Sequence, residues 1–328
     1  MADSTFTSPG LQHLLDQMPA FCLASKASNT QRQYKNAFNL FCKFCLSFNI
    51  TLTLPASDTS VSVYLIHLTN AGKSASTINE AFYVISWAHR LAGLADPCKS
   101  DLVKTIREGS IRSVGRCVDK KEPITHEILR QLVNVYGFHN TDLKNIRVAC
   151  MCLLCYAGFL RFAELANLRR HHVFIYDNHV KLFLESSKTD VYREGRDALI
   201  SKTNSPTCPV NMLLRYFYLA EIPADSTDYI FRPLCFCKSV NSYKLRSGKL
   251  SYTTAREILL SALETLGLNK KYFGLHGLRS EGATAAAAAK VEDRLFKKHG
   301  RWRTDKAKDG YVKENISERL SVTKNIGF

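Results

Sequence analysis

The chain has no apolar run long enough to cross a membrane as a helix. Its longest apolar run, Val148–Leu160, has about 13 residues, whereas a transmembrane helix needs about 20. The first ten residues, MADSTFTSPG, are polar and lack the apolar segment of a secretory signal. We therefore expect a protein with no membrane partner that works inside the cell, and in the nucleus if its host is a eukaryote.

Acidic residues are scarce relative to basic ones. The sequence has 29 Asp and Glu against 45 Lys and Arg, which gives a net charge of +16 and a pI of about 9.4. Such a balance favours a partner that is nucleic acid or another anionic surface. The excess is concentrated after residue 115, where 35 basic residues face 22 acidic ones. If the partner is double-stranded DNA, the second part of the chain should hold it more tightly.

The 11 cysteines are an odd number and mostly lie within apolar helical patterns, which indicates reduced thiols rather than disulfides. Two Cys-x-x-Cys pairs, Cys42/Cys45 and Cys152/Cys155, have a spacing that suits zinc. They are more than a hundred residues apart and lie on apolar faces, so core thiols explain them better. We therefore expect no zinc site at these cysteines.

Residues 1–110 have the pattern of a compact bundle of helices. In residues 31–49, Tyr34, Phe38, Phe41 and Cys45 recur at three- and four-residue steps, and the opposite face is polar and basic. That basic face is either simply solvated or a phosphate contact, and both interpretations stay open. Residues 111–122 have no apolar period and read as a basic linker. We expect a second domain over residues 123–328.

The second domain should be mainly helical with a small antiparallel sheet, which makes its fold class α+β. Its helices should cover about 125–136, 142–159, 209–221 and 253–266. The segments VFIY and VKLFL, separated by the dipeptide Asp177-Asn178, predict a β-hairpin, with a third strand at residues 197–200. Residues 225–250 read as loop with one strand at 229–231.

A cluster of polar and basic residues near the end of the chain suggests phosphate chemistry. His276 and Arg279 are three residues apart and share one helical face. Trp302 offers an indole N–H donor, and Tyr311 follows it by nine residues. Eight Lys or Arg lie between residues 294 and 313. A tyrosine in such surroundings is a candidate nucleophile or phosphate contact rather than a core aromatic.

Further candidates lie upstream. Arg161 comes where a buried helix ends, with Glu164 three residues later, and Lys188 follows the hairpin. Attack on a phosphodiester without a metal needs fixed cations, a nucleophile, a base and an acid for the leaving oxygen. Each residue alone has an ordinary structural explanation, and Lys181 and Lys202 are rivals to Lys188. The functional interpretation depends on the whole set occurring in order.

In order and spacing, the set resembles the motifs of the tyrosine recombinases, the family of phage integrases, Xer-type resolvases and Cre-like enzymes. The matching residues are Arg161 with Glu164, Lys188, His276 with Arg279, Trp302, and Tyr311 nine residues later. The helical segment QRQYKNAFNLFCKFC resembles the core-binding domain of the family. The segments SKTD and GRW…DGYV most resemble recombinases of eukaryotic mobile elements of the Crypton or DIRS type. His299 is twelve residues from Tyr311 and does not fit the position of Trp302.

The resemblance implies a role for each residue. Tyr311 would attack the scissile phosphate and form a 3′-phosphotyrosyl link, while Arg161 and Arg279 hold the phosphate. Lys188 would protonate the leaving 5′-hydroxyl, and His276 would accept a proton. Trp302 would position the phosphate or support the pocket, since an indole cannot transfer a proton, and Glu164 would orient the cluster.

The implied function is DNA integration or recombination by a homotetramer on two DNA sites. A type IB topoisomerase-like enzyme would use similar chemistry without paired sites, and a non-cutting DNA-binding protein is the alternative outside enzymes. The complete residue set argues against the latter, because a binding protein needs no nucleophile. The tail has a small apolar stripe, Ile316, Leu320 and Ile326, that could pack on its own domain or on a neighbouring subunit.

Overall fold

A computed structural model describes residues 9–51, 54–115, 121–137, 141–185, 195–313 and 316–326. The chain divides into two compact units, Met1–Val118 and Asp119–Phe328. The described residues are mostly helical and form two small antiparallel sheets, so the predicted fold class is confirmed. Among these residues, no helix combines the length and apolarity that a membrane span requires.

The first unit is helical throughout its described part, with α1 (Pro9–Ala24), α2 (Ser28–Ser47), α3 (Asp58–Asn70), α4 (Ala75–Leu91) and α5 (Asp101–Ser113). Side-chain oxygens of Ser57 and Ser74 accept hydrogen bonds from backbone N–H groups in the first turns of α3 and α4, which fixes where these helices begin. The core consists of apolar residues at helical spacing, among them Phe41, Val61, Leu65, Ile78, Ile85 and Val103.

The second unit contains the helices α6 (His126–Tyr136), α7 (Leu143–Ala157), α8 (Phe162–Asn167), α9 (Pro209–Leu219), α10 (Tyr252–Thr265), α11 (His276–Ala288), α12 (Asp293–Gly300), α13 (Asp305–Asp309) and α14 (Ile316–Lys324). Helix α7 is the centre of its core, because every residue from Ile146 to Cys155 is buried. Packing against α6, α9, α10 and α11 buries α7 on all sides. This explains why residues 148–160 are continuously apolar.

The predicted hairpin and third strand are confirmed. Strands β1 (Val173–Ile175), β2 (His179–Leu184) and β3 (Arg196–Ser201) form an antiparallel sheet in the order β1-β2-β3. Alternate residues of β2 face the core, so the register places Val180 opposite Ile200 on the buried side.

The prediction for residues 225–250 was wrong in two respects. Tyr229 makes only an isolated bridge to Arg169 instead of starting a strand. The strands of this region are β4 (Leu234–Cys237) and β5 (Ser242–Leu245), which pair as a hairpin. Both strands are short and partly exposed, and an exposed hairpin has no strict apolar alternation by which to recognise it.

Candidate active site

The first arginine of the site stands where α7 gives way to α8. The chain leaves α7 through Gly158 and Phe159, and Phe159 takes a left-handed φ of 45° that turns the backbone. Arg161 then precedes the first turn of α8. Its backbone N–H donates to a carboxylate oxygen of Glu164 at 2.8 Å, and its Nη1 lies 2.9 Å from the other oxygen. The spacing of three residues therefore serves to cap α8 and to hold the guanidinium group.

The second arginine lies one turn into α11. Arg279 is fully buried, and both of its terminal nitrogens are hydrogen-bonded. Nη2 donates to the carbonyl oxygen of Gly300 at 2.7 Å, and Nη1 donates to the carbonyl oxygen of Phe159. Because these carbonyls lie in the chain after α7 and at the end of α12, Arg279 joins three segments that are distant in sequence.

Glu164 lies at the centre of the positive cluster. One carboxylate oxygen contacts Arg161, and the other lies 3.0 Å from Nη2 of Arg301 and 3.8 Å from Nη1 of Arg279. Burial would raise the pKa of Glu164, but the charges of the three arginines and the Arg161 N–H together lower it. The carboxylate is therefore ionised at neutral pH, and it compensates part of the charge that the arginines carry into the interior.

Burial removes Arg279 from water, which disfavours its charged form. Burial and the nearby charge of Arg161 lower the pKa of Arg279, against the opposing effect of Glu164. The lowered pKa of Arg279, about 10, still lies well above neutral pH, so the group stays protonated. The site thus presents two fixed guanidinium groups, Arg161 and Arg279, that share one carboxylate.

Trp302 is held by a close approach of the backbone. A Cβ added to Gly300 would lie only 2.0 Å from the indole ring, so glycine alone leaves room for it. The ring packs against Phe159 and Phe296, with ring centroids 6.0 and 5.1 Å away. Its Nε1 is buried and has no hydrogen-bond partner among the described residues.

Tyr311 packs against Arg279, Trp302 and His276. Its ring centroid is 4.8 Å from Cζ of Arg279, 5.4 Å from the ring of Trp302 and 5.1 Å from the ring of His276. Tyr311 is partly buried, whereas His276 is exposed. A phenol, an imidazole and a buried guanidinium group therefore meet in one place, with the imidazole on the solvent side.

The structure brings together six of the seven residues singled out in the sequence, namely Arg161, Glu164, His276, Arg279, Trp302 and Tyr311. Lys188 lies outside the described residues. Of its two rivals, Lys181 is on β2 with its Nζ 4.7 Å from the ring centroid of Phe174, and Lys202 is exposed just after β3.

Two further residues of this region are part of the same packing. His299, which the spacing had excluded from the role of Trp302, directs Nε2 to the carbonyl oxygen of Ala157 at 2.8 Å, and burial lowers its pKa. Arg301 was not singled out in the sequence, although, like Arg161, it forms a direct ion pair with Glu164. No spacing rule identified it; the only signal was a basic residue within the Gly300-Arg301-Trp302 triplet.

Possible metal ligands lie away from this cluster. The thiols of both Cys-x-x-Cys pairs have pKa values raised by burial, which disfavours the thiolate that zinc requires. Within the described ranges, ligand atoms of His171, His172 and Glu185 lie within 4.8 Å of one another. A contact of 3.2 Å between Nε2 of His172 and a carboxylate oxygen of Glu185 already accounts for part of this cluster, and the positive charge of Arg169 opposes a cation there.

Comparison with known proteins agrees with this architecture. Residues 124–318 match the phage integrase family. The chain is 26% identical over 294 residues to an integrase/recombinase xerD homolog from Selenomonas ruminantium, an alignment that covers 88% of this chain and 83% of that protein.

Solved structures show the same fold at low identity. The Tn1549 transposon integrase in complex with circular intermediate DNA has a TM-score of 0.59 at 11% identity, covering 94% of this chain and 98% of that one. XerH site-specific recombinase bound to palindromic difH substrate has a TM-score of 0.60 at 13% identity, and the match covers 90% of this chain and 79% of that one.

The match to the family extends over more than half of the chain and includes every residue of the cluster. The chain belongs to the phage integrase family. It is a tyrosine recombinase, an enzyme that cuts and rejoins DNA.

Proposed function

We propose that Tyr311 is the nucleophile of this enzyme and that Arg161 and Arg279 bind the phosphate it attacks. The observation that carries the proposal is the meeting of two guanidinium groups, an imidazole and a phenol within one cluster. In the reaction, the phenolic oxygen of Tyr311 bonds to phosphorus and the bond to the 5′-oxygen breaks. The product is a 3′-phosphotyrosyl link and a free 5′-hydroxyl.

The hydrogen-bond donors of the site fit a phosphate. Nε of Arg279 and Nε1 of Trp302 are buried and have no partner in the described parts of the chain. A buried donor without a partner is costly, so an acceptor that reaches both improves the energy of the complex. The non-bridging oxygens of a phosphate are such acceptors, and negative charge develops on them in the transition state.

His276 supports the activation of the nucleophile. A free tyrosine has a pKa of about 10 and is a poor nucleophile at neutral pH, so it needs a proton acceptor. The His276 ring, 5.1 Å from the Tyr311 ring, is the imidazole suited to this task. Lys188 is assigned the opposite task, which is to protonate the departing 5′-oxygen.

These groups supply every part of the chemistry without a metal or cofactor. The phosphotyrosyl bond retains the energy of the broken phosphodiester. The 5′-hydroxyl of the same or another duplex can therefore attack it, which releases Tyr311 and completes an exchange of strands. This reversibility favours recombination or integration over hydrolysis.

We assign DNA binding to both units, with residues 1–110 as a core-binding domain. The support is the face of α2 that carries Arg32, Lys35, Asn36, Asn39 and Lys43, all of them exposed. Basic and amide side chains of this kind contact phosphates without reading bases. Double-stranded DNA as substrate would place the enzyme in the nucleus of a eukaryotic host.

We further assign a homotetramer on two DNA sites as the active assembly. A lambda integrase tetramer bound to a Holliday junction has a similar fold, with a TM-score of 0.56. In this chain, Leu320 and Val322 of α14 and Ile326 just after it are exposed, with 49%, 63% and 62% of their surfaces accessible. Exposed apolar residues on a tail support docking on a neighbouring copy rather than on its own unit.

The test uses a nicked suicide duplex, from which a short fragment diffuses away after cleavage and prevents resealing. The wild-type chain should accumulate a covalent protein–DNA adduct, and peptide mapping should find the nucleotide on Tyr311. Tyr311→Phe should bind the same duplex and form no adduct. An adduct that persists in Tyr311→Phe would assign the nucleophile to another residue.

A two-site assay separates recombination from simple relaxation. A plasmid with two copies of the target should give exchanged products and form tetramers on DNA, as measured by mass. Relaxation of supercoils on a plasmid with one site or none, without exchange, would instead indicate a topoisomerase.

A further inference from the structure

The unassigned residue closest to the centre of the cluster is Arg301. Only 2% of its surface is exposed, and its backbone adopts a left-handed φ of 56° directly after α12. Glycine occupies such a conformation without strain, whereas the Cβ of other residues makes it unfavourable. An arginine at this position is therefore explained only by what its side chain does.

The guanidinium group of Arg301 makes four hydrogen bonds, all to acceptors within the protein. Nη2 donates to Oε2 of Glu164 at 3.0 Å and to the carbonyl oxygen of Phe159 at 2.8 Å. Nη1 donates to the carbonyl oxygens of Gly158 at 3.1 Å and His299 at 2.8 Å. Both terminal nitrogens of Arg301 are therefore occupied, as are those of Arg279, and Nε of each arginine is buried without a partner among the described residues. Arg279 differs in its contact with Tyr311, since its Cζ lies 4.8 Å from the ring centroid, so the phosphate is assigned to Arg279 and a supporting role to Arg301.

Two of these acceptors are shared with Arg279. The carbonyl oxygen of Phe159 accepts from both arginines, and Oε2 of Glu164 faces both, at 3.0 Å from Arg301 and 3.8 Å from Arg279. Gly300, whose carbonyl holds the other terminal nitrogen of Arg279, is the residue next to Arg301 in the chain. The position of Arg279 thus depends on atoms that Arg301 fixes.

The link to Arg161 runs through the same carboxylate. Oε1 of Glu164 is 2.9 Å from Nη1 of Arg161, while Oε2 accepts from both the backbone N–H of Arg161 at 2.8 Å and Nη2 of Arg301 at 3.0 Å. A planar guanidinium fork can fix both the carboxylate and the neighbouring carbonyls at once, which a lysine ammonium cannot. Without Arg301, Oε2 would keep only the Arg161 N–H as a hydrogen-bond partner, so the carboxylate and the Phe159 carbonyl could shift and change the separation of the guanidinium groups of Arg161 and Arg279.

We propose that Arg301 is a positioning residue for phosphate binding, which sets the two guanidinium groups of Arg161 and Arg279 through Glu164 and the Phe159 carbonyl. The proposal rests on the function assigned above. It implies that Arg301 contributes to the rate of DNA cleavage without touching DNA.

The main test compares Arg301→Gln with wild type in single-turnover cleavage of the suicide duplex. We expect cleavage to slow by about 100-fold, as misplacing reacting groups by about 1 Å can do. The dissociation constant for uncleaved DNA should stay unchanged. Arg301→Lys, which restores the charge but not the fork, should recover part of the rate.

The matched control is Arg147→Gln. Arg147 is also a buried arginine of the same unit, and its Nη1 donates to the carbonyl oxygen of Arg232 at 2.9 Å, away from the cluster. Both variants should lose thermal stability, so all rates are measured well below their melting temperatures. Arg147→Gln should then cleave at the wild-type rate. Equal rates for Arg301→Gln and Arg147→Gln would overturn the proposal.

A change in the substrate separates positioning from general damage to the fold. A methylphosphonate at the scissile position removes one negative charge, so correctly placed arginines matter less. The rate defect of Arg301→Gln should shrink on this substrate, as should that of Arg279→Lys. A defect of the same size on both substrates would reduce Arg301 to a structural residue.

Failure of this inference is distinguishable from failure of the proposed function. If wild type forms the Tyr311 adduct and Arg301→Gln forms it equally fast, only the role of Arg301 is wrong. If wild type forms no adduct at Tyr311, the proposed function fails. In that case a double-mutant cycle of Arg301→Gln with Glu164→Gln still measures whether the two side chains are coupled, and additive losses of stability would refute the network.

Discussion

The hydroxyl of Ser280 donates a hydrogen bond of 2.8 Å to the backbone carbonyl oxygen of Tyr311. The hydroxyl oxygen of Thr284, one turn further along α11, lies 3.4 Å from the same carbonyl oxygen. It also accepts a hydrogen bond of 3.0 Å from the backbone N–H of Lys313. The segment that carries the tyrosine is therefore fastened to the helix that carries His276 and Arg279. Tyr311, the proposed nucleophile, is therefore held within its own chain by two side-chain hydroxyls.

Removing these hydroxyls should slow cleavage without changing the chemistry. Each such hydrogen bond contributes about 0.5–1.5 kcal/mol, so Ser280→Ala with Thr284→Val should lower the cleavage rate by roughly five- to 150-fold if the docked state is the reactive one. Single-turnover adduct formation measures this. A rate equal to or above that of wild type would mean that the tyrosine must leave this position to react.

Glu164 should stabilise the fold in a pH-dependent way. Its pKa is lowered in the folded chain, so its contribution is present above the unfolded value of about 4.5 and is lost as pH falls through the folded value. Glu164→Gln leaves three arginines partly uncompensated and should reduce the free energy of unfolding by about 3–5 kcal/mol at pH 7. The difference from wild type should narrow below about pH 4.5 in urea titrations.

An exposed glutamate is the control for that experiment. Glu127 forms a surface pair with Arg130 at 3.6 Å, and Glu127→Gln should change the free energy of unfolding by no more than about 1 kcal/mol. If the stability difference between wild type and Glu164→Gln widened towards acid pH, the folded pKa of Glu164 would be raised and the account of the cluster would be wrong.

The contact between α11 and α7 depends on Gly282. A Cβ at this position would lie 2.2 Å from the carbonyl oxygen of Tyr156 and 3.0 Å from the ring of Phe159. Gly282→Ala should therefore separate the helices and reduce the free energy of unfolding by about 1–3 kcal/mol, as overpacking does. In the same helix, Gly277→Ala meets its nearest atom at 3.5 Å and should be neutral or slightly stabilising. Thermal melts of the two variants decide the matter, and equal melting temperatures would contradict the close packing.

The polar residues of the site could be identified from the sequence because each stands at a local feature that the sequence shows, such as the end of an apolar run or the start of a helix. Arg161 ends an apolar run, His276 opens an alanine-rich helix, and a spacing of nine connects Trp302 to Tyr311. The hairpin was equally visible, since a turn dipeptide separates two runs rich in apolar residues.

What the sequence did not reveal depends on contacts between distant segments. Arg301 follows α12 and belongs to no recognisable sequence pattern. Its importance arises only when Gly158, Phe159 and Glu164 fold against it. Gly282 and Gly300 look like interruptions of helices until their neighbours show that a side chain has no room. Local periodicity carries no information about such approaches, because both partners must be known.

The assignment of the general acid can be tested although Lys188 lies outside the described residues. If Lys188 protonates the leaving 5′-oxygen, replacing that oxygen with sulfur should make the proton unnecessary, since thiols ionise with a pKa of about 8.5 and leave readily as thiolates. Lys188→Ala should cleave the ordinary duplex slowly and the 5′-phosphorothiolate duplex at the wild-type rate. Arg279→Lys should stay slow on both, because its defect concerns the phosphate.

Lys181→Ala and Lys202→Ala are the controls for Lys188→Ala. Lys181→Ala loses a cation held over Phe174, and Lys202→Ala loses an exposed side chain after β3. Neither should show a defect that sulfur repairs, because protonation of a leaving group requires the ammonium group within hydrogen-bond reach of that oxygen. If Lys181→Ala or Lys202→Ala gave the sulfur-repaired pattern while Lys188→Ala did not, the general acid would be that lysine rather than Lys188.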